Sequence, residues 1–493
     1  MHRWSRLQNG SDVRGVAMEG VEGEPVTLTP AMARTIGLAF AKWLAERSGR
    51  MDARVSVGHD SRLSADALKT AVLQGLARAG CEGFDCGLAS TPAMFMSTVF
   101  EGHAYDGAVM LTASHLPFNR NGMKFFTRSG GLEKGDVRRI LEMAAEIGEF
   151  DAGASAPAKR VELMDDYAAH LVRIVRAGAG AGERPLAGLR IVVDAGNGAG
   201  GYFVDRVLKP LGADTEGSRF LEPDGRFPNH IPNPEAEEAM EAIVSAVKES
   251  DADFGVIFDT DVDRAGAVDR AGRPINRNRF IALMSTIVLE EHPGTTVVTD
   301  SVTSTGLKWW IEERLGGRHH RFKRGYRNVI NEAIRLNEAG EACWLAMETS
   351  GHGALKENHW LDDGAYQIAR ILVKIARLKA AGAGTVDELI AALPEPAETT
   401  EFRPRISGAD FSAYADEVLE AFERFVETKE GWTLTPENFE GVHVTTPAGW
   451  VLMRKSLHDP QIPINVESDR IGGVAETERE VRAFLAGFER LET

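Results

Sequence analysis

Apolar and polar positions follow a plan that recurs along the chain. A short β-branched or apolar run enters a polar loop, and a stretch of helical periodicity comes after it. Met32, Ile36, Ala39, Phe40, Trp43 and Leu44 recur at helical spacing behind Thr29, which predicts a capped helix through about Ser48. Arg54 to Val57 predicts a strand that ends in His59, Asp60, Ser61 and Arg62, with a helix over Ala65 to Arg78. Gly107 to Leu111 and Phe254 to Phe258 read as strands, as do Arg190 to Val193 ahead of Asp194–Gly201 and Thr295 to Val298 ahead of Thr299, Asp300 and Ser301. The repetition implies α/β units of similar plan. Breaks are expected within 151–160, near the turn at 270–274 and near Leu393–Pro396, and the Ala/Gly run 177–182 reads as a flexible connector. The last hundred or so residues lack the plan and read as a smaller α+β unit with a strand at Ile462 to Val466.

With 493 residues the chain is expected to hold roughly three or four domains. A formal net charge of −17 argues against a nucleic-acid partner, which needs a basic face. An anionic small substrate stays open, because a site can be locally basic in an acidic protein. Cys81, Cys86 and Cys343 are too few for a disulfide framework, so they read as buried thiols in a reducing compartment. The N-terminus has no apolar segment of the secretory kind, and the run Phe280 to Leu289 is too short to span a bilayer. A cytoplasmic protein without membrane contact is expected.

The stretch from Leu111 to Phe126 carries the first chemistry. Ser114 and His115 head a loop punctuated by Pro117, Asn121 and Gly122, with Lys124 on its far side. A hydroxyl to carry a phosphoryl group and cations to hold it are gathered there. An ordinary polar turn with a surface serine fits the same residues. Residues 9–15 form a polar loop that presents Ser11, Asp12 and Arg14, either a plain N-terminal turn or a means of placing Arg14 on a substrate. The glycines at 196, 198, 200 and 201 miss the dinucleotide spacing, so a nucleotide site is not expected there.

Asp259, Asp261 and Asp263 follow the apolar strand at Phe254, and Arg264 comes next. In an extended segment alternate side chains point the same way, so three carboxylates converge and repel unless a cation sits among them. Mg²⁺ suits oxygen ligands beside a phosphate. An EF-hand is excluded, since Arg264 and Arg270 stand where Gly and Glu are needed. The strand-end aspartates of haloacid dehalogenase-like phosphatases want Thr or Val where Asp263 stands. A solvated acidic turn is the plainer alternative. Further on, Lys323, Arg324 and Arg327 make a basic loop that suits a phosphate or a surface. Glu348 and Ser350, two apart and followed by His352, suit vicinal sugar hydroxyls, and Glu348 rules out a G-x-S-x-G elbow. Arg454, Ser456 and His458 lie on a turn that reads as a phosphate clamp or a hairpin turn.

Taken in order, these loops resemble the α-D-phosphohexomutase family, the phosphoglucomutases and phosphomannomutases, over nearly the whole chain. The resemblance rests on Asp12, Arg14 and Gly15; on Thr112, Ala113, Ser114, His115, Asn121, Gly122 and Lys124; on Asp259, Asp261, Asp263 and Arg264; on Glu348, Ser350, Gly351 and His352; and on Arg454 and Ser456. It implies an α/β fold of four domains: three similar α/β units with mixed sheets at 1–155, 156–272 and 273–394, and a smaller α+β domain at 395–493. It implies an intramolecular phosphotransferase that interconverts hexose 1-phosphate and hexose 6-phosphate, of mannose or glucose. Ser114 would carry the phosphoryl group and join Asp259, Asp261 and Asp263 in holding Mg²⁺. A hexose 1,6-bisphosphate would be intermediate and activator. Lys124 and Arg14 would serve proton transfer, with His115 and His352 nearby. Arg264, Lys323, Arg327, Glu348, Ser350, His352, Arg454, Ser456 and His458 would bind the sugar phosphate. The implied partners are small sugar phosphates, and the chain is expected as a monomer or homodimer.

Val302 and Tyr326 stand where some bifunctional members carry Lys and His, and Leu457, His458 and Asp459 where Asn or Thr are commoner. These departures bear on the preferred sugar. Alternatives are a phosphoglucosamine mutase, a catalytically silent sugar-phosphate binder, and a phosphatase that uses the aspartate loop alone.

Overall fold

Thr29 accepts a hydrogen bond from the Met32 amide at 3.2 Å and Pro30 opens the helix Pro30–Ser48, so a capping oxygen and a ring with no N–H satisfy the first turn. This computed structural model describes residues 2–50, 52–151, 158–408, 410–456 and 459–492, with only the backbone of His2. The chain divides into two compact units, 1–280 with 350–388, and 281–349 with 389–493.

The first unit holds two sheets. The larger is built from β1 (Gln8–Asn9), β2 (Asp12–Val16), β3 (Arg54–His59), β4 (Glu82–Leu88), β5 (Gly107–Leu111), β6 (Arg120–Thr127), β7 (Gly130–Gly131) and β8 (Lys159–Arg160), in the order β1-β2-β6-β5-β3-β4-β8 with β7 on β6. β3 runs parallel to β4 and β5, whereas β6 is antiparallel to β5 and β2. Every residue of β5 is buried, as expected of an apolar strand covered on both faces. Phe40 and Trp43 of the first long helix, Leu68 and Val72 of the helix Ala65–Arg78 and Ile140 of the helix Lys134–Ile147 form one core with Val55, Val109 and Phe125. The smaller sheet has β9 (Ile191–Asp194), β10 (Phe254–Phe258), β11 (Ala265–Asp269) and β12 (Pro274–Ile275) in the order β12-β11-β10-β9, under the helix Glu237–Ser250. β9 and β10 are parallel, and β10 and β11 form an antiparallel hairpin.

In the second unit β13 (Thr296–Thr299) lies between β14 (Arg318–Arg321) and β15 (Cys343–Met347), parallel to both. Its C-terminal part is a five-stranded antiparallel sheet in which Glu398–Phe402 pairs with Ile464–Ser468, then Gly449–Met453, Val442–Thr446 and Thr433–Leu434. The helices Phe411–Glu427 and Gly473–Leu485 cover it through Val418, Phe422, Val481 and Leu485.

Several local expectations differ from what is found. The segment 9–15 is mostly strand, and Arg14 projects from β2. Asn121, Gly122 and Lys124 belong to β6, so the serine loop ends at Asn119. Ala177 to Ala179 complete the helix Leu163–Ala179, whose end is set by Gly180 at φ 61°, a left-handed position that glycine adopts without steric cost. The strand expected at Ile462 begins two residues later, at Ile464, because Pro463 has no N–H for the ladder. The expected break at 151–160 falls largely on 152–157, outside the described residues. All three cysteines are buried, and burial pushes the Cys86 thiol up to about 12. No helix among the described residues is long and apolar enough to cross a membrane.

Candidate functional site

Asp259 to Arg264 is the tip of the hairpin between β10 and β11. The expected extended segment is absent. The chain turns tightly with Val262 at φ 67°, and this turn brings the carboxylates together. One ligand oxygen from each of Asp259, Asp261 and Asp263 lies within 4.8 Å of the others, and all three residues are fully buried. Asp261 Oδ1 and Asp263 Oδ1 are buried and have no hydrogen-bond partner among the described residues. Such orphaned anionic oxygens are costly without a cation, so this donor set fits a hard divalent ion.

Three distant segments press on this turn. Thr91 donates from its amide to Asp261 O at 2.8 Å and from its hydroxyl to Asp261 Oδ2. Ala199 donates to Thr260 O at 2.8 Å, and a Cβ on Gly198 would stand 2.7 Å from that same oxygen. Gly364 donates to Val262 O at 3.2 Å, and a Cβ there would meet Arg264 C at 2.6 Å. The glycine run 194–201, which misses the nucleotide pattern, serves close approach of one backbone to another. Gly198→Ala is accordingly expected to cost about 1–3 kcal/mol through overpacking, and activity should fall with it; a denaturant melt beside a turnover assay measures both.

Ser114 comes to the same place from the end of β5 and is 9% exposed. Its hydroxyl donates to Asp259 Oδ2 at 2.8 Å and accepts from Arg264 Nη2 at 3.1 Å. Its backbone has φ 48°, a left-handed conformation that costs an L-residue on the order of 1 kcal/mol. Arg264 also donates to Asp259 through its amide and Nε, each at 3.2 Å, to Asn233 Oδ1 at 3.0 Å and to His115 Nδ1 at 2.7 Å. Burial, then the Arg264 charge, lowers the His115 imidazole to about 3, so it is neutral and accepts that N–H. Lys124, on β6, pairs closely with Asp263 and lies 3.6 Å from Asp261. Arg14 pairs with Asp12 at 2.8 Å and donates to Thr112 O, beside the serine loop.

His352 Nδ1 is 2.5 Å from Asp362 Oδ2 and 4.0 Å from Asp263 Oδ1. Against the opposing effect of burial, these two carboxylates raise its imidazole to about 9. Burial, reinforced by Asp263 and Asp261, holds Asp259 well above the usual carboxylate range. Asp263 is held below that range, where Lys124, His352 and Arg264 together outweigh burial. Ser350 Oγ is buried with no hydrogen-bond partner among the described residues.

The first unit thus gathers Arg14, Ser114, His115, Lys124, Asp259, Asp261, Asp263, Arg264 and His352. In the second unit Glu348 accepts from the amide of Gly325 at 2.6 Å, at the end of the loop that carries Lys323. Arg327, expected on that loop, lies instead in the first turn of the helix Tyr326–Glu338, one residue past its start. Thr349 donates to Asp300 at 2.7 Å, and Arg324 lies 3.7 Å from the same carboxylate. Burial, followed by the Arg324 charge, depresses the Arg454 guanidinium below its ordinary value. Ser456 Oγ accepts from the Asp459 amide at 3.1 Å, and His458 lies outside the described residues. Thr91, Arg62 and Asp362 escaped the motif reading. Arg62 sat in plain view at a strand end, and Asp362 one residue before the capping Asp363.

Family models described as phosphoglucomutase/phosphomannomutase, alpha/beta/alpha domains I, II and III, match residues 5–150, 165–272 and 276–397. A phosphomannomutase/phosphoglucomutase of Pseudomonas putida is 32% identical over 92% of this chain and 91% of its own. A phosphoglucomutase of Neisseria gonorrhoeae is 30% identical over 96% and 95%. The crystal structure of a phosphoglucomutase/phosphomannomutase family protein from Burkholderia thailandensis superposes with a TM-score of 0.80 at 28% identity, covering 99% of each chain.

Proposed function

Because this chain belongs to the phosphoglucomutase/phosphomannomutase family, we propose that it interconverts hexose 1-phosphate and hexose 6-phosphate, of mannose or glucose, by way of a phosphorylated Ser114. One observation carries the reading. The Ser114 hydroxyl is fixed between the Asp259 carboxylate at 2.8 Å and the Arg264 guanidinium at 3.1 Å, beside two orphaned aspartate oxygens. Phosphoryl transfer demands positioning and charge neutralisation, and both are supplied there.

Asp259, Asp261 and Asp263, together with an oxygen on Ser114, would hold Mg²⁺, which neutralises phosphoryl charge when bound. In the first transfer the Oγ–P bond of phosphorylated Ser114 breaks as a bond forms between phosphorus and a sugar hydroxyl oxygen. The hydroxyl proton passes to a nearby base, for which Lys124 as the neutral amine is assigned, with Arg14 in support and His115 and His352 at hand, and Ser114 Oγ takes up a proton as its bond to phosphorus breaks. The product is a hexose 1,6-bisphosphate. After it reorients, its other phosphoryl group returns to Ser114 and the isomer leaves. Arg264 steadies Oγ throughout, because its Nη2 already points there. The roles assigned in the second unit are Glu348 for sugar hydroxyls and Lys323, Arg327, Arg454 and Ser456 for the non-reacting phosphate, with His458 completing the set; Ser350, which belongs to the first unit, is assigned to sugar hydroxyls with Glu348.

Intact-mass measurement and peptide mapping before and after exposure to a panel of hexose phosphates test this. A phosphate on Ser114 that one sugar removes, with its bisphosphate appearing, identifies both reaction and substrate. A protein never phosphorylated, even by a hexose 1,6-bisphosphate, would defeat the reading.

A further inference from the structure

Arg62 lies at the end of β3, where the sequence reads His59, Asp60, Ser61, Arg62. Its side chain is fully buried, which an arginine tolerates only when its donors are matched. Both Nη atoms are matched. Nη2 donates to Ser114 O at 2.5 Å and to Leu116 O at 2.6 Å. Nη1 donates to Pro117 O at 2.7 Å and to Arg120 O at 2.9 Å. The remaining N–H, on Nε, faces Asp60 Oδ2 at 3.3 Å, and Asp60 Oδ1 accepts the Arg62 amide at 2.9 Å. One flat face lies over the Phe227 ring, 5.2 Å from its centroid.

The four N–H groups on the two Nη atoms are therefore assigned, to three carbonyls of the loop that carries Ser114 and to that of Arg120 at the start of β6, while Nε faces Asp60 as an ion pair. That loop needs holding, because Ser114 sits in a left-handed conformation that an L-residue does not favour. Turning the Ser114 peptide into an ordinary conformation would take its carbonyl away from Nη2. We infer that Arg62 is a positioning residue for phosphoryl transfer: it fixes Ser114 Oγ toward Asp259 and Arg264 by gripping four backbone carbonyls of residues 114–120. This rests on the reading of Ser114 as the phosphoryl carrier. Arg62 touches neither Oγ nor the carboxylate cluster by hydrogen bond, so its effect is transmitted through the loop. No lysine can reproduce it, since an ammonium has three donors on one atom and no planar fork.

The test is Arg62→Lys, which keeps the buried charge and loses the fork. Expected is a fall in kcat of at least about tenfold with KM for the hexose phosphate within about threefold, because misplacement of a reacting atom slows transfer while substrate contacts stay intact. Amides of residues 114–116 and 118–120 should exchange hydrogen faster, and millimolar guanidinium should restore part of the kcat of Arg62→Ala. A wild-type kcat in Arg62→Lys, a change in KM alone, or unaltered exchange of the loop would overturn the inference. Should Arg62→Ala fail to fold, Asp60→Asn, which loosens the guanidinium at nearly constant volume, is expected to lower kcat in the same selective way, and an unchanged kcat counts against the assignment. Wild type is assayed alongside. If it isomerises no hexose phosphate, the functional reading fails, and the exchange measurement still judges the grip of Arg62 on the loop.

Discussion

Ser114→Ala is expected to lower isomerisation by at least about a thousandfold while leaving the protein folded, since loss of a covalent carrier removes the reaction path and loss of one hydrogen bond costs only about 1 kcal/mol. The hydroxyl has no local substitute. His115 is the adjacent nucleophile, but its Nδ1 accepts the Arg264 N–H at 2.7 Å. Asp259 lies 2.8 Å from Ser114 Oγ and could in principle take a phosphoryl group, as a phosphatase would require. The two routes part in the variant. If Asp259 were the carrier, Ser114→Ala would release inorganic phosphate at an undiminished rate. If Ser114 is, the variant releases none above background and takes up no phosphate from a hexose 1,6-bisphosphate. Turnover assays with phosphate detection and intact mass read both results.

Stripping divalent ions should be nearly as damaging. Asp259, Asp261 and Asp263 are fully buried within reach of one ion, and Lys124, Arg264 and His352 lie against them to offset part of their charge, with the Arg62 guanidinium acting on Asp261 from farther off. Two of their oxygens have no hydrogen-bond partner among the described residues. Chelation is expected to abolish isomerisation and Mg²⁺ to restore it. The ion should also stabilise the fold, by about 2.7 kcal/mol at a hundredfold excess over its dissociation constant. Asp261→Asn tests the site itself. It should keep the Thr91 contact to the backbone yet demand far more Mg²⁺ for half-maximal rate. An activity indifferent to chelator, with a melting temperature that Mg²⁺ does not move, would count against a metal at this turn.

Much of this architecture was legible in the order of apolar runs. The strands at Gly107 and Phe254 and the helix Ala65–Arg78 begin and end where the patterning puts them, since short apolar runs bounded by polar loops and a helical spacing of apolar residues are visible in the sequence itself. The convergence of the aspartates was also foreseen, but for another reason. Alternation along an extended strand was expected, and a tight turn through Val262 performs the task. A β-branched residue at positive φ gives no sequence signal, because the surrounding chain imposes it. Arg14 and Lys124 were placed on loops, yet both project from strands, since the pairing of β2 with β6 joins segments about a hundred residues apart. The role of Arg62 was hidden for a similar reason: its partners are backbone carbonyls, which every residue possesses.

Thr91, Gly198 with Ala199, and Gly364 enclose the aspartate turn from points far apart in the chain. A turn held this way cannot be completed by any local piece of the polypeptide. Loop-closure entropy must be met several times over before its last contact forms, so the turn belongs to the late stages of chain assembly. The carboxylate cluster is thus a property of the whole first unit, and loosening any one of these distant segments is felt at all three aspartates.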